Sequence, residues 1–138
     1  MKFTGLRFIL IINLQSHSLH GLFNAFQTFR QLLYNGALYL DQRAEKGLDK
    51  SIKFMIPCLK INDWPALKIR GVADDVSRGQ IPTVESAKRF IKKISQYKNN
   101  YYALYIEDVF TCSKHPKVGE GRGAFTPEEL LEIDKYAR

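Results

Sequence analysis

The chain has 138 residues and a formal net charge of +7, and apolar residues make up 45% of it. It is therefore long enough for one modest domain with a hydrophobic core, and its composition excludes a disordered polymer. The two cysteines, Cys58 and Cys112, lie far apart and outside any Cys-x-x-Cys pair. We therefore expect no zinc site, no other metal and no cofactor.

The N-terminal segment MKFTGLRFILIINL has two cations, Lys2 and Arg7, around the start of a short apolar run. This order is similar to that of a signal peptide, but no small-residue cleavage site follows it. The run is also too short to span a membrane. We predict a buried strand over Phe8–Leu14, and the compartment of the protein stays open.

An amphipathic helix is predicted next, because apolar residues recur there at spacings of four, three and four. These residues are Leu22, Phe26, Phe29 and Leu33. Asn35-Gly36 is a plausible end for this helix, and the polar segment Tyr39–Ser51 predicts an exposed excursion. Further on, strand-like apolar runs flank a predicted turn at Asn62-Asp63.

The second half of the sequence predicts two strands that alternate with two helices. The strands are predicted at Ile69–Val76 and Tyr101–Phe110, with a helix between them at Thr83–Tyr97. The last helix begins after Thr126 as N-cap, with Pro127 at the first helical position and Glu129 completing a capping box. Alternation of this kind is typical of a parallel α/β sheet or barrel.

Acidic residues end both predicted strands, with Asp74-Asp75 on the first and Glu107-Asp108 on the second. In parallel α/β proteins, polar residues at the carboxyl ends of strands form the functional site. The alternative is that these acids cap loops or helices. In a regular strand Arg70 and Asp74 share one face while Asp75 points to the other, so they line one pocket only if the strand bends.

The segment WPALKIRGVADDVSRGQIPTVESAKRFIKKISQYKNNYYALYIEDVF resembles the start of the catalytic barrel in family 20 glycoside hydrolases, the β-N-acetylhexosaminidases. The residues that match the motif of this family are Arg70, Gly71, Asp75, Ser77 and Arg78. Upstream, GLFNAFQTFRQLL is similar to a helix of the small α/β domain that precedes the barrel. The resemblance implies part of a small α/β domain over 1–66 and a partial TIM (β/α)8 barrel of about two β/α units over 67–138.

The resemblance implies hydrolysis of terminal N-acetylhexosamine, in which the acetamido oxygen of the sugar acts as nucleophile. Arg70 matches the arginine that binds sugar hydroxyls in the family, a task that suits a planar guanidinium. We add three candidate substrate-binding residues: Glu107 and Asp108, which end the second predicted strand, and His115 in the loop after it. The catalytic Asp-Glu pair of the family lies on a fourth barrel strand and has no match in this chain, so we predict no catalytic residue here.

The predicted partner is therefore a glycan that contains N-acetylhexosamine, with neither nucleic acid nor a membrane as partner. Self-association through an open sheet edge is a further expectation, since an unpaired strand exposes backbone hydrogen-bonding groups. The alternative hypothesis is a small, basic, non-catalytic α/β module that binds glycan or nucleic acid. Its basis is the positive charge, part of which lies on one predicted helix at Lys88, Arg89, Lys92 and Lys93.

Overall fold

The computed structural model describes residues 11–45 and 58–138, with side chains as far as Asn35 in the first helix. The chain divides into two compact units, Met1–Asp63 and Trp64–Arg138. The described elements are one helix in the first unit, α1 (Leu19–Glu45), and two strands and two helices in the second. In chain order these are β1 (Gly71–Asp75), α2 (Val84–Ser95), β2 (Tyr101–Tyr105) and α3 (Pro127–Ala137). The predicted α/β class is confirmed.

In the first unit, Ser18 starts α1 by accepting a hydrogen bond from the Gly21 backbone N–H on its hydroxyl oxygen, at 3.0 Å. The helix does not end at Asn35-Gly36 as predicted but continues to Glu45. One helical glycine costs only about 1 kcal/mol, and the residues after Gly36 are mostly good helix formers. Part of the predicted excursion Tyr39–Ser51 is therefore helical, and residues 46–51 lie outside the described residues.

The predicted apolar stripe of α1 is only partly buried. Leu22 and Phe26 are exposed, whereas Phe29 and Leu33 are half-buried. The buried side chain of the described part of α1 is Gln27, whose carbonyl oxygen accepts from Arg30 at 3.1 Å. The expectation of a stripe that faces a core is thus wrong for its first two members.

Two strand predictions in the first half are also corrected. Of the predicted strand Phe8–Leu14, residues 8–10 lie outside the described residues, and residues 11–14 are irregular with Ile11 and Ile12 exposed. Cys58–Asp63 and the segment up to Arg70 contain no strand either, and residues 54–57 are not described. Apolar runs of this length fit a strand, but these have no paired strand among the described residues, and pairing is what makes a strand.

In the second unit, β1 and β2 form a parallel two-stranded sheet in which Gly71 pairs with Tyr101 and Asp75 with Tyr105. Helix α2 is the crossover between them, as parallel pairing requires. Thr83 caps it by accepting from the Ser86 N–H, and its apolar face buries Val84 and Ala87. Thr126 and Glu129 form the predicted capping box at the start of α3.

The core of this unit lies beyond the carboxyl ends of the strands as well as under the helices. Val76 directly follows β1, Val109 follows β2, and Phe125 precedes α3; all three are almost fully buried. Val84 and Ala87 of α2 and Ile133 of α3 complete the cluster. Because these residues anchor the loops, the polar residues between them have defined positions.

Candidate functional site at the carboxyl edge

The loop after β1 begins with a local hydrogen-bonding turn centred on Asp75. One oxygen of its carboxylate, Oδ1, accepts from the Ser77 hydroxyl at 2.6 Å and from the Ser77 backbone N–H at 3.0 Å. The bond from the Ser77 hydroxyl is the main reason that the pKa of Asp75 is lowered, and the backbone bond and the charge of Arg78 act in the same direction. The turn after β1 therefore favours the carboxylate form of Asp75, the second of the two acids that end this strand.

Arg78 joins this turn to the loop after β2. Its Nε lies 3.3 Å from Asp75 Oδ2, and its Nη2 lies 3.9 Å from Glu107 Oε1. The Arg78 side chain is 74% exposed, and both carboxylates are close to half exposed. Exposed ion pairs contribute little to stability, so these three groups form a charged, solvent-facing set rather than a structural brace.

Glu107 has an unusual backbone conformation, with φ at +46°. A non-glycine residue in the left-handed region carries a conformational cost. It lies in the turn closed by the hydrogen bond from Val109 N–H to Ile106 O at 3.0 Å. This turn ends β2 at Tyr105, five residues before the predicted end at Phe110.

The Tyr105 side chain lies beside this charged set. A hydrogen bond to the Glu107 carboxylate, together with the negative charge of that group, raises the pKa of the Tyr105 hydroxyl. Tyr105 as a whole is 52% exposed. The carboxyl edge, as we call Asp75, Arg78, Tyr105 and Glu107 from here on, therefore combines hydrogen-bond donors, acceptors and an aromatic face that solvent can reach.

Asp108 is held next to this edge by Arg122, from the long connection between β2 and α3. Arg122 Nη1 donates to Asp108 Oδ2 and its Nη2 donates to the Ser77 carbonyl oxygen, each at 2.6 Å. His115 lies in the same connection and is exposed. Sequence reasoning placed Glu107 and Asp108 at this end of the sheet but missed Arg122, because its two partners lie 14 and 45 residues away.

Arg70 lies at the opposite, amino end of β1. Its Nε donates to Lys98 O at 3.1 Å and its Nη1 to Leu67 O at 2.5 Å. Asn100 accepts from the Arg70 backbone N–H at 2.9 Å and donates to Lys68 O at 2.9 Å. A strand of five residues spans roughly 16 Å, so Arg70 does not join Glu107 and Asp108 in one site. Its predicted contact with sugar stays a prediction.

Asp74 is also explained by the fold. It lies on the helix-facing side of β1, where the Tyr102 hydroxyl donates to its Oδ2 at 3.0 Å. Burial, this hydrogen bond and the charge of Asp74 raise the pKa of Tyr102 well above its ordinary range. The Tyr102 ring in turn packs 5.5 Å from Phe90 of α2, measured between ring centroids. Asp74 thus serves packing between sheet and helix.

The other face of the sheet is open. It is formed by Gly71, which has no side chain, and by the side chains of Ala73, Asp75, Tyr101, Ala103 and Tyr105. Tyr101 and Tyr105 are both about half exposed, at 51% and 52%. Parallel sheets are normally covered on both faces, so this face is a surface that another structural layer would cover.

The basic side chains of α2 are partly engaged within the unit. Lys88 pairs with Glu132 of α3 and lies 5.8 Å from the centroid of the Tyr136 ring. Lys93 lies 5.7 Å from the Tyr97 ring centroid, and Arg89 donates to the Ser86 hydroxyl. Three of the four basic side chains of α2 named above thus have contacts within the unit.

No family model matches this chain, and no curated protein matches it in sequence. The resemblance to family 20 glycoside hydrolases therefore depends on the motif residues alone. Among residues 11–45 and 58–138, no helix is both long and apolar enough to cross a membrane. The same residues contain no group of three or more histidine, cysteine or acidic side chains placed to hold a metal ion.

Proposed function

We propose that residues 64–138 bind an N-acetylhexosamine-containing glycan at the carboxyl edge, as the first two β/α units of a barrel similar to that of family 20 glycoside hydrolases. The observation that carries this proposal is the convergence of Asp75, Arg78, Glu107 and Tyr105 on one exposed edge. Two of these residues, Asp75 and Arg78, also belong to the motif that resembles the family.

The chemistry of these groups suits a saccharide. Sugar hydroxyls both donate and accept hydrogen bonds, and the carboxyl edge offers carboxylate acceptors next to a planar guanidinium donor. The partly exposed Tyr105 ring adds an apolar face with a polar tip, which suits the alternating C–H and O–H groups of a pyranose. Because Arg78 is mostly solvated, a ligand can replace its water contacts without breaking a buried ion pair.

The open sheet face supports the barrel part of the proposal. In a closed barrel, one face of every strand points inward and the helices cover the outer face. Here the core residues of α2 and α3 pack on one side of the sheet, and on the other side Gly71 and Ala73 are exposed and Ala103 is half-buried in the described part of the chain. Small residues on that face leave room for side chains of further strands.

We expect this part of the chain to bind sugar without cleaving it. A general acid for glycoside cleavage needs a raised pKa, so that it is protonated at neutral pH. The pKa of Asp75 is instead lowered by Ser77 and Arg78.

The experiment is ligand-observed NMR of the purified chain with N-acetylglucosamine, using glucose to test the need for the acetamido group. We expect Arg78→Ala to lower the affinity about tenfold, as for loss of one charged hydrogen bond. Arg89→Ala is the matched control, since Arg89 is an exposed arginine on α2 that contacts Ser86. Wild-type affinity in Arg78→Ala, or equal binding of glucose, would contradict the proposal.

Two further binding measurements distinguish the proposed site from a site at the amino end and from a nucleic-acid or heparin partner. Loss of binding in Arg70→Ala but not in Arg78→Ala would move the sugar to the amino end of the sheet. Strong, steeply salt-dependent binding to DNA or heparin, with no binding of N-acetylglucosamine, would favour the basic binding module instead. A chromogenic N-acetylglucosaminide should show no turnover with this chain.

A further inference from the structure

Arg122 bridges two loops that belong to different strands. Its guanidinium is a planar fork, and the two ends of the fork reach Asp108, which follows β2, and the carbonyl of Ser77, which follows β1. Ser77 is buried, with 4% of its surface exposed, and it also holds Asp75 through two hydrogen bonds. The single side chain of Arg122 thus connects both halves of the carboxyl edge.

The segment that carries Arg122 is itself fixed against the edge. Gly119 has φ at +75°, and a Cβ added there would lie 2.8 Å from the Asp108 carbonyl oxygen and 2.6 Å from Ala124 Cβ. After Arg122, the chain is anchored by Phe125, which is buried and exchanges backbone hydrogen bonds with Val109 and Thr111. The close approach at Gly119 and the anchor at Phe125 leave the Arg122 side chain directed at Asp108 and Ser77.

Glu107 depends on this bridge, because it directly precedes Asp108 and has a strained backbone. A non-glycine residue in the left-handed region relaxes unless its surroundings hold it. The Arg122 and Asp108 side chains are 43% and 47% exposed, but the Arg122 guanidinium is also fixed on the carbonyl oxygen of the buried Ser77, so their bond holds the turn from one side. The bond between Val109 N–H and Ile106 O holds it from the other. Without the bridge, Glu107 would be free to leave Arg78 and Tyr105.

We propose that Arg122 is a positioning residue of the carboxyl edge: it holds the loops after β1 and β2 at a fixed separation and so keeps Glu107 next to Arg78 and Tyr105. The role in sugar binding rests on the proposed function above, whereas the effect on Glu107 does not. Arg122 itself need not touch the ligand, because both ends of its guanidinium are already occupied by the protein.

The first readout is the titration of the Tyr105 hydroxyl, followed by NMR of labelled tyrosine at alkaline pH. In Arg122→Gln, loss of the positive charge alone would raise the pKa of Tyr105, whereas loss of the hydrogen bond to Glu107 would lower it. We expect the second effect to dominate, so that the pKa of Tyr105 falls toward its ordinary value. The control is Glu132→Gln, which breaks an ion pair between α2 and α3 and should leave the Tyr105 titration unchanged.

A raised or unchanged Tyr105 pKa in Arg122→Gln would overturn the proposal. An equal lowering of the Tyr105 pKa in Glu132→Gln would overturn it as well. If Arg122→Gln does not fold, Arg122→Lys decides the same question, because lysine keeps the charge but loses the two-pronged geometry. For this variant a lowered Tyr105 pKa supports the proposal, and an unchanged or raised Tyr105 pKa overturns it.

The second readout is affinity for N-acetylglucosamine, which should fall about tenfold in Arg122→Gln, since a pre-arranged site becomes a mobile one. Glu132→Gln should bind as the wild type does. If the wild-type chain does not bind the sugar, the proposed function fails while the Tyr105 titration still decides the role of Arg122. Full affinity in Arg122→Gln together with a lowered Tyr105 pKa would overturn the contribution of Arg122 to binding.

Discussion

At the amino end of the two-stranded sheet, Arg70 and Asn100 bond to the backbone, whereas at the carboxyl end Arg78 meets two carboxylates side chain to side chain and faces solvent. Arg70 and Asn100 join the segments before β1 and β2 through hydrogen bonds that each have a main-chain atom at one end. Arg78, Asp75 and Glu107 interact side chain to side chain and are largely exposed. The first arrangement stabilises the sheet, and the second leaves its groups available to a ligand.

The largest expected effect is at the amino end, in Gly71→Ala. A Cβ at Gly71 would lie 1.9 Å from the Tyr101 carbonyl oxygen, which is backbone and cannot move without shifting β2. We expect a loss of about 3 kcal/mol in the free energy of unfolding, as for a severe overpacking. Urea denaturation measures it, with Ala73→Ser on the same open face as control. A loss below about 1 kcal/mol would show that the strand pairing tolerates the shift.

Asn100→Ala should have the next largest effect. It removes hydrogen bonds to Arg70 N–H and Lys68 O, at 2.9 Å each, which connect the two strands at their start. About 1.5 kcal/mol of stability should be lost, because each such bond contributes on the order of 1 kcal/mol and solvent partly replaces it. Denaturation measures this loss, and sugar affinity should stay at the wild-type value. A fall in affinity matching that of Arg78→Ala would erase the functional difference between the two ends.

A smaller effect, dependent on pH, is expected at Asp75. Its pKa is lower in the folded chain than the ordinary value of 3.8, so its hydrogen bonds to Ser77 stabilise the fold above that value. This contribution is lost as the pH falls through the folded pKa, because protonation removes the acceptor charge. The acid limb of stability against pH should therefore be shallower in Asp75→Asn than in the wild type. Identical acid limbs would mean that the turn does not favour the carboxylate.

The smallest effect on stability is expected in Arg78→Ala. An exposed ion pair of this kind contributes about 0.5 kcal/mol or less, so the unfolding midpoint should hardly move. The same substitution should lower sugar affinity about tenfold, which is the sharpest form of the contrast between the two ends of the sheet. A large loss of stability would instead make Arg78 a brace like Arg70, and the comparison would fail.

Much of the second unit was predictable because its signals are local. Thr83 and Thr126 cap helices within three residues of themselves. The positions of Glu107 and Asp108 at the carboxyl end of the sheet were predictable for the same reason, since acids at the end of a strand-like run mark its carboxyl end. The turn in which they lie was missed, because Glu107 is not a residue type that signals a left-handed backbone.

In the first unit the sequence pattern was less informative. Asn35-Gly36 is typical of a helix end, but the good helix formers on its C-terminal side outweigh it. Residues 11–14 have the composition of a strand, yet strand formation depends on a paired neighbour that an apolar run does not specify. In both cases the conformation is decided by neighbouring residues or by a pairing partner, and the short pattern itself carries neither.

Sequence signals that act over a few residues thus determined the α/β class, the helix caps, the crossover and the two acidic strand ends of this protein. Only the three-dimensional fold decided that Arg70 braces the amino end while Arg78 and Arg122 organise the carboxyl end. The reason is that caps and periodicity act over a few residues, whereas the partners of an arginine are chosen by which distant loops the core brings together. Identical residue types therefore acquire different roles according to the end of the strand at which they lie.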